Sequence, residues 1–431
     1  MVVTTRQLSE HVDKEVTLQG WIYNKRSSGK IVFLQFRDGY GFVQAIVFKG
    51  DASDEVFARA EELTMESSLK ITGKVSKHPK KENVYEIQTT DIEIIHLCKE
   101  EYPISKKEHG PEFLLNKRHL WVRSQKQWAI QRVRNTIINA TYEYFNANGF
   151  IKWDTPIFTP NACEGTSTLF GVDYFDLGEV YLSQSGQLYS EAGIMAHSKV
   201  FDFGPVFRAE KSKTRRHLTE FWMMDAEMAF HHHEDNMRVQ EELVSHIVAK
   251  VLEINVYELE ILERDMEPLK NVKAPFYRIT HKEVVDMMRK EGSDLEYNHD
   301  LGGDDETVFS KKYDKPVFVE KYPAEVKAFY MKRDPENPEY ALCSDLLAPE
   351  GYGEIIGGSE REIDYDVLVA RIKEHKLKQE DFDWYLDLRK FGSVPHSGFG
   401  YGLERLVAWI CSLKHVRETI PFPRMIYRKS P

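Results

Sequence analysis

Cysteine is scarce in this chain. Four occur in 431 residues, Cys98, Cys163, Cys343 and Cys411, far apart and without a CxxC pair. That spacing excludes a disulfide framework and a cysteine-based zinc site, and it fits reduced thiols in the cytoplasm. No run of 18 or more apolar residues is present, and the opening MVVTTRQLSEH lacks the apolar core of a secretory signal. Neither a membrane span nor export is therefore expected. Low-complexity tracts are missing too. There is no overall positive charge: the formal net charge is −11. This excludes a uniform electrostatic coat for nucleic acid, and DNA is not expected as a partner, although a local basic patch remains compatible with RNA. With 42% hydrophobic and 29% charged residues, the chain has the composition of a globular protein of two or three domains.

Residues 1–100 contain five short stretches that read as strands: VTLQGWIYN, IVFLQFRD, GFVQAIVF, SLKITGKV and YEIQTTDIEII. The turns SSGK, DGYG and HPKKEN and one helical insert, SDEVFARAEEL, separate them. Five strands with one insert predict an OB-fold barrel. Residues 1–50 carry seven Lys/Arg against four Asp/Glu, interleaved with Trp21, Tyr23, Phe33, Phe36 and Phe42. Rings and cations in alternation suit single-stranded nucleic acid, since bases stack on the rings while cations track the backbone. Trp21 and Phe36 are expected in the barrel core instead. Residues 101–123 are charged and aperiodic and read as a hinge. A helix is predicted from about Ser124 to Asn148, stopped by Gly149, followed by the strand FIKWDTPIFTP.

The most informative stretch is Phe207–Phe221, FRAEKSKTRRHLTEF. Between Arg208 and His217 it holds five basic side chains (Arg208, Lys211, Lys213, Arg215 and Arg216) and one acid, Glu210. The flanks VFDFGPVF and FWMMDAEMAF read as strands, so the basic run becomes their connecting loop and suits a polyanion. Farther on, Asp345 and Glu354 occupy what read as facing strands, with Gly357-Gly358-Ser359 leading to Arg361. Such a pair of hard oxygen ligands suits Mg²⁺ when phosphate supplies the remaining oxygens. GFGYGLER, residues 398–405, brings the backbone close beneath a ligand and sets Arg405 at a helix start. The triplet His231-His232-His233 is not expected to bind metal, because adjacent histidines on a strand cannot share a face.

FRAE, RRHLTEF, the Pro156 strand and GFGYGLER together resemble motifs 2, 1 and 3 of the class II aminoacyl-tRNA synthetases. The runs LSQSGQLY, GEIIGGSERE and HVRETIPFPR extend the resemblance over essentially the whole chain, to the aspartyl/asparaginyl/lysyl subclass and within it to asparaginyl enzymes of the short bacterial type. The resemblance implies an α+β protein: an OB-fold barrel that reads the anticodon (residues 1–100), a hinge (101–123), and a catalytic domain of antiparallel sheet flanked by helices (124–431) that forms a homodimer. It implies ATP and asparagine as substrates, Mg²⁺ as cofactor and tRNA(Asn) as partner. Carried over residue by residue, Arg208, Glu210, Arg216, His217, Phe221, Glu354 and Arg405 would bind ATP, with Arg208, Arg405 and Glu354 catalytic. Asp345 and Glu354 would hold the metal. Glu164, Ser185, Gln187, Ser190, Asp225 and Arg361 would bind the amino acid, and Arg26, Phe33 and Gln44 the anticodon. Aspartyl enzymes carry a lysine three residues after the glutamine of the SxQ turn. Ser190 stands there instead, which favours the neutral amide. Asp225, where asparaginyl enzymes carry glutamate, points the other way, so an aspartyl or dual-specificity enzyme and a non-catalytic RNA-binding relative stay open.

Overall fold

The computed structural model describes all residues except 106, 162 and 164–168. It resolves into two compact units, Met1–Gly110 and Pro111–Pro431.

In the first unit, five strands close a barrel: β1 (Glu15–Ser28), β2 (Ile31–Arg37), β3 (Phe42–Phe48), β4 (Ser68–Lys77) and β5 (Tyr85–His96), in the order β1-β2-β3-β5-β4. The alternation that predicts strands also sorts their side chains, because successive Cβ atoms point to opposite faces. Val32, Leu34 and Phe36 of β2 and Val43, Ala45 and Val47 of β3 are buried inside. The insert Asp54–Glu62 is helical, capped by Ser53, which accepts from Val56 N. Trp21 departs from expectation. It is 39% exposed, because Leu18, Gly20 and Ile22 hold the inward positions of β1 and Trp21 falls on the opposite parity. Its ring instead lies 4.8 Å from the Arg37 guanidinium. Phe36 fills the barrel space over Gly20, where a Cβ would stand 2.6 Å from its ring.

The second unit is built on an eight-stranded mixed sheet. Its strands are β6 (Ile151–Lys152), β10 (Lys199–Phe207), β11 (Glu220–Ala229), β12 (Tyr277–Thr280), β13 (Val317–Glu320), β14 (Cys343–Ala348), β15 (Gly353–Glu360) and β16 (His396–Gly402), in the order β12-β13-β14-β15-β16-β11-β10-β6. All pairs are antiparallel except the outermost, β12 with β13 and β10 with β6. A separate three-stranded sheet joins β7 (Phe158–Thr159), β8 (Gly171–Asp173) and β9 (Glu179–Leu182). The stretch FIKWDTPIFTP is thus two short strands in two sheets, with Pro156, which has no N–H to donate, in the break between them. The helices Gln125–Ala147, His233–Ile254 and Leu403–Ile410 share one large core with the sheet, through Val133, Ile137, Phe145, Leu243, Ile247 and Trp409.

Residues 111–123, which read as part of the hinge, fold into this unit as two short helices, Pro111–Asn116 and Arg118–Trp121. Arg118 is fully buried and donates to the carbonyls of Glu418, Ile420 and Pro421. The histidine triplet lies past the end of β11, with His232 as N-cap and His233 as the first residue of a helix. No group of three or more metal-ligating side chains occurs among the described residues.

Candidate active site

The basic run forms the connection between β10 and β11, whose register sets Phe207 opposite Glu220 and Asp202 opposite Asp225. Antiparallel pairing of β11 with β16 and of β16 with β15 then brings three sequence-distant runs onto one face. A cavity of about 460 Å³ opens there. Of the anticipated residues, Gln187, Arg208, Glu210, Arg216, His217, Phe221, Asp225, Asp345, Glu354, Arg361 and Arg405 line it.

One end of the cavity is cationic and holds two carboxylates. The turn from β14 to β15 uses left-handed backbone at Glu350, Gly351 and Gly353 (φ 62°, 84° and 71°). Glycine accommodates this at two of the three positions, and the reversal sets Glu354 across from Leu347. A Cβ on Gly357 would lie 3.3 Å from Glu354 Oε1 and 3.5 Å from Asp345 Oδ1, so both carboxylates converge over that glycine. Arg405 Nη1 donates to Glu354 Oε2 at 2.8 Å, and Lys327 Nζ to Asp345 Oδ2 at 2.9 Å. Burial alone would raise the Glu354 carboxyl, but Arg405 and Lys327 outweigh it and hold it below the usual range. Asp345 goes the other way: burial, reinforced by the nearby Glu354 charge against the pull of Lys327, pushes it up to about 6.

Phe221 lies under the cavity beside Gly402, whose Cβ would stand 3.7 Å from the ring, and the Arg208 guanidinium is 5.9 Å from the ring centroid. Arg216 is held differently from the anticipated free phosphate ligand. Its Nη1 donates to Glu306 Oε2 at 2.6 Å, and Nη2 to Thr307 Oγ1 at 2.6 Å and Gly351 O at 3.0 Å. Glu306 also accepts from Glu354 N at 2.8 Å. Burial, with the Glu354 charge beside it, raises the Glu306 carboxyl to about 7.

The other end is polar and small. Asp225 Oδ2 accepts from Ser185 Oγ at 3.1 Å and Gly186 N at 2.9 Å, and a Cβ on Gly400 would lie 2.6 Å from its Oδ1. Arg361 is buried and donates from Nη2 to Glu227 Oε1 at 2.5 Å, from Nε to Oε2 at 3.3 Å, and from Nη1 to Ser359 Oγ at 2.7 Å. Burial would lower its pKa, but Glu227 overrides this and raises it, so the guanidinium stays charged. Ser185 and Ser190 do not line the cavity. Ser185 stands behind Asp225. Ser190 is fully buried one turn into the helix Gln187–His197, and its hydroxyl has no hydrogen-bond partner among the described residues. Among the described residues, the one lysine that lines the cavity is Lys327, which is bonded to Asp345. Glu164 lies outside the described residues.

The barrel residues are placed separately. Phe33 sits on the outer face of β2 with the Arg26 guanidinium 4.8 Å from its ring centroid. Gln44 faces outward on β3 and donates to Glu86 Oε1 at 2.8 Å.

Residues 110–426 match the family model for class II tRNA synthetases (D, K and N), and residues 16–95 match that for OB-fold nucleic acid binding domains. An asparagine–tRNA ligase of Chloroflexus aurantiacus is 55% identical over 434 residues, covering 99% of this chain and 98% of the relative. The chain belongs to the asparagine–tRNA ligase family of class II synthetases. An asparagine–tRNA ligase of Desulforamulus reducens is likewise 55% identical, over 427 residues and 99% of both chains. Among solved structures, the asparaginyl-tRNA synthetase of Pyrococcus horikoshii complexed with asparaginyl-adenylate aligns with a TM-score of 0.95 and 45% identity, over 100% of this chain and 99% of that one. No helix among the described residues is long and apolar enough to cross a membrane.

Four charged residues that line the cavity are not anticipated from the sequence, Lys327, Glu306, Asp300 and Glu404, and neither is Glu227, the buried partner of Arg361. The first three fall in a stretch without periodic signal, and Glu227 reads as one more residue of a strand. The only sequence-level hint is a charged residue flanked by apolar ones, as in MMDAEMAF and PAEVKAFY, since charge in an apolar strand needs a partner.

Proposed function

We propose that this chain joins asparagine to tRNA(Asn) through asparaginyl-adenylate, releasing pyrophosphate and then AMP. The observation that carries this reading is the division of one cavity into a cationic end and a small polar end. Arg208, Arg216, His217 and Arg405 line the first, and Gln187, Asp225 and Arg361 line the second. ATP is taken bent, its adenine between Phe221 and Arg405. Arg208 meets the α-phosphate and Glu210 borders the nucleotide. Arg216 and His217 face the γ-phosphate, and Arg216 exchanges Glu306 for phosphate oxygen as the nucleotide enters.

Asp345 and Glu354 fit a hard cation that arrives with the nucleotide, because two converging carboxylates leave the remaining ligands to phosphate oxygens. Held by Asp345 and Glu354, Mg²⁺ would supply positive charge against the leaving pyrophosphate. Lys327 and Arg405 keep both carboxylates aimed into the cavity. The asparagine carboxylate attacks the α-phosphorus, and a terminal ribose hydroxyl of the tRNA then attacks the mixed anhydride. No protein nucleophile takes part; positioning and preorganised charge carry the rate.

Selection rests on the amide. Arg361 donates to its oxygen and Asp225 accepts from its nitrogen, whereas the carboxylate of aspartate would meet Asp225 charge to charge in a buried space. A site built for both ends of an amide rejects the acid strongly. Glu164 would close over the ammonium. Residues 1–100 bind the anticodon, with bases stacking beside Phe33 and Arg26 and pairing with Gln44. Two copies of the chain assemble as a homodimer, and the enzyme works in the cytoplasm. ATP–pyrophosphate exchange tests the reading. Asparagine, and not aspartate, is expected to support it. Exchange with aspartate would overturn the selection argument, and none with either would overturn adenylation.

A further inference from the structure

One layer behind the amino-acid end lies a carboxylate that the proposed mechanism does not use. Glu191 is fully buried and follows Gln187 by one turn on the same face of its helix. Donors surround it. The Tyr385 hydroxyl bonds Oε1 at 2.8 Å and Oε2 at 2.7 Å, Arg389 Nη2 bonds Oε2 at 2.7 Å, and His396 Nε2 lies 3.0 Å from Oε2. The remaining donor is Gln187 Nε2, 3.2 Å from Oε1. Burial alone would raise the Glu191 carboxyl, but Arg389 and His396 outweigh it and hold it below the usual carboxylate range. It is ionised and can only accept.

This decides the orientation of a side chain that lines the cavity. A glutamine amide has one donating and one accepting end, which a neutral pocket leaves free to interchange. Beside an acceptor-only carboxylate, the NH₂ must face Glu191 and the carbonyl oxygen must point away from it. We infer that Glu191 is a positioning residue for the amino-acid substrate, locking the Gln187 amide so that its carbonyl oxygen is presented to the substrate ammonium. The inference rests on the proposed reading of Gln187 as an amino-acid ligand. It goes beyond a structural role for the Glu191–Arg389 pair, which would stabilise the fold whichever way Gln187 pointed.

The test is steady-state ATP–pyrophosphate exchange by the full chain, with asparagine and ATP varied in turn. In Glu191→Gln, the neighbour of Gln187 both donates and accepts, so the amide is no longer locked. A misdirected acceptor loses a hydrogen bond to a charged group, so KM for asparagine should rise about tenfold or more. KM for ATP should stay unchanged. Inhibition by succinamate, which is asparagine without its ammonium, should match the wild type. In a Gln187→Met background, Glu191→Gln should add nothing further to KM for asparagine, because the two residues act as a unit. Glu191→Asp keeps the charge that Arg389 needs and withdraws it from Gln187, so it carries the same comparison should the glutamine variant fail to fold. Equal rises in KM for both substrates, or additive effects in the double variant, would overturn the positioning role. If Gln187→Met by itself leaves KM for asparagine at the wild-type value, the amino-acid reading of Gln187 fails, and the inference with it.

Discussion

Replacing Glu227 with glutamine removes the charge against which Arg361 is set. Arg361 is 2% exposed and Glu227 fully buried, so water cannot take over the contact. The two now share Nη2–Oε1 and Nε–Oε2 bonds. A glutamine keeps the shape and one acceptor but turns an NH₂ group toward a cation. Removing one partner of a buried pair costs about 3–5 kcal/mol. The retained acceptor places this case at the lower end, about 3 kcal/mol. Urea-induced unfolding at equilibrium should report that loss in the transition of the catalytic unit. On the proposed reading of Arg361 as donor to the asparagine amide, the guanidinium also loses its fixed aim, so KM for asparagine should rise roughly tenfold, about 1.4 kcal/mol, with KM for ATP unchanged. A variant with wild-type stability and wild-type asparagine KM would refute the argument that Glu227 holds Arg361 in place. Gly398→Ala probes the same contact by steric means, because a Cβ there overlaps the Glu227 carboxylate. It should reproduce the kinetic defect while leaving both charges present.

Arg208→Ala should abolish asparagine-dependent pyrophosphate exchange while sedimentation still reports the wild-type oligomer; wild-type turnover would sink its assignment to the α-phosphate. Phe33→Ala should weaken tRNA charging by about 1–3 kcal/mol of lost stacking and spare pyrophosphate exchange, whereas equal loss of both activities would mark Phe33 as structural. His415 offers a pH test. Burial, then the Arg417 charge, lowers its pKa to about 4, and its Nδ1 accepts from Arg417 N at 3.1 Å, a bond that only the neutral ring can make. The unfolded chain binds the proton at the ordinary value and the folded chain does not. The His415 contribution is therefore present above about pH 6.5 and lost as the pH falls toward 4. Thermal melts of the wild type and His415→Gln should show a gap at pH 7.5 that narrows by pH 5. A gap constant with pH would contradict this.

How much of this was readable beforehand differs from element to element. The barrel was visible because β2 and β3 alternate strictly, and alternation alone decides which side chains face inward. The size of Trp21 suggests a core residue, but strand parity puts it outside. Residues 111–123 read as hinge because their short helices have no periodicity of their own; they owe their place in the second unit to Arg118 bonding carbonyls some 300 residues away.

The sequence by itself determined the strand-forming segments, the basic loop between Phe207 and Glu220, the glycines beneath the cavity and the absence of a cation at Ser190. Each is a matter of residue type and local spacing, which a one-dimensional string contains. Tertiary structure alone decided which charges meet. Lys327 finds Asp345 across 18 residues, Arg216 finds Glu306 across 90, and Arg361 finds Glu227 across 134. A buried charge is stable only beside its partner, and partners so far apart in the chain are brought together by the register of β11, β14, β15 and β16, which no local pattern encodes.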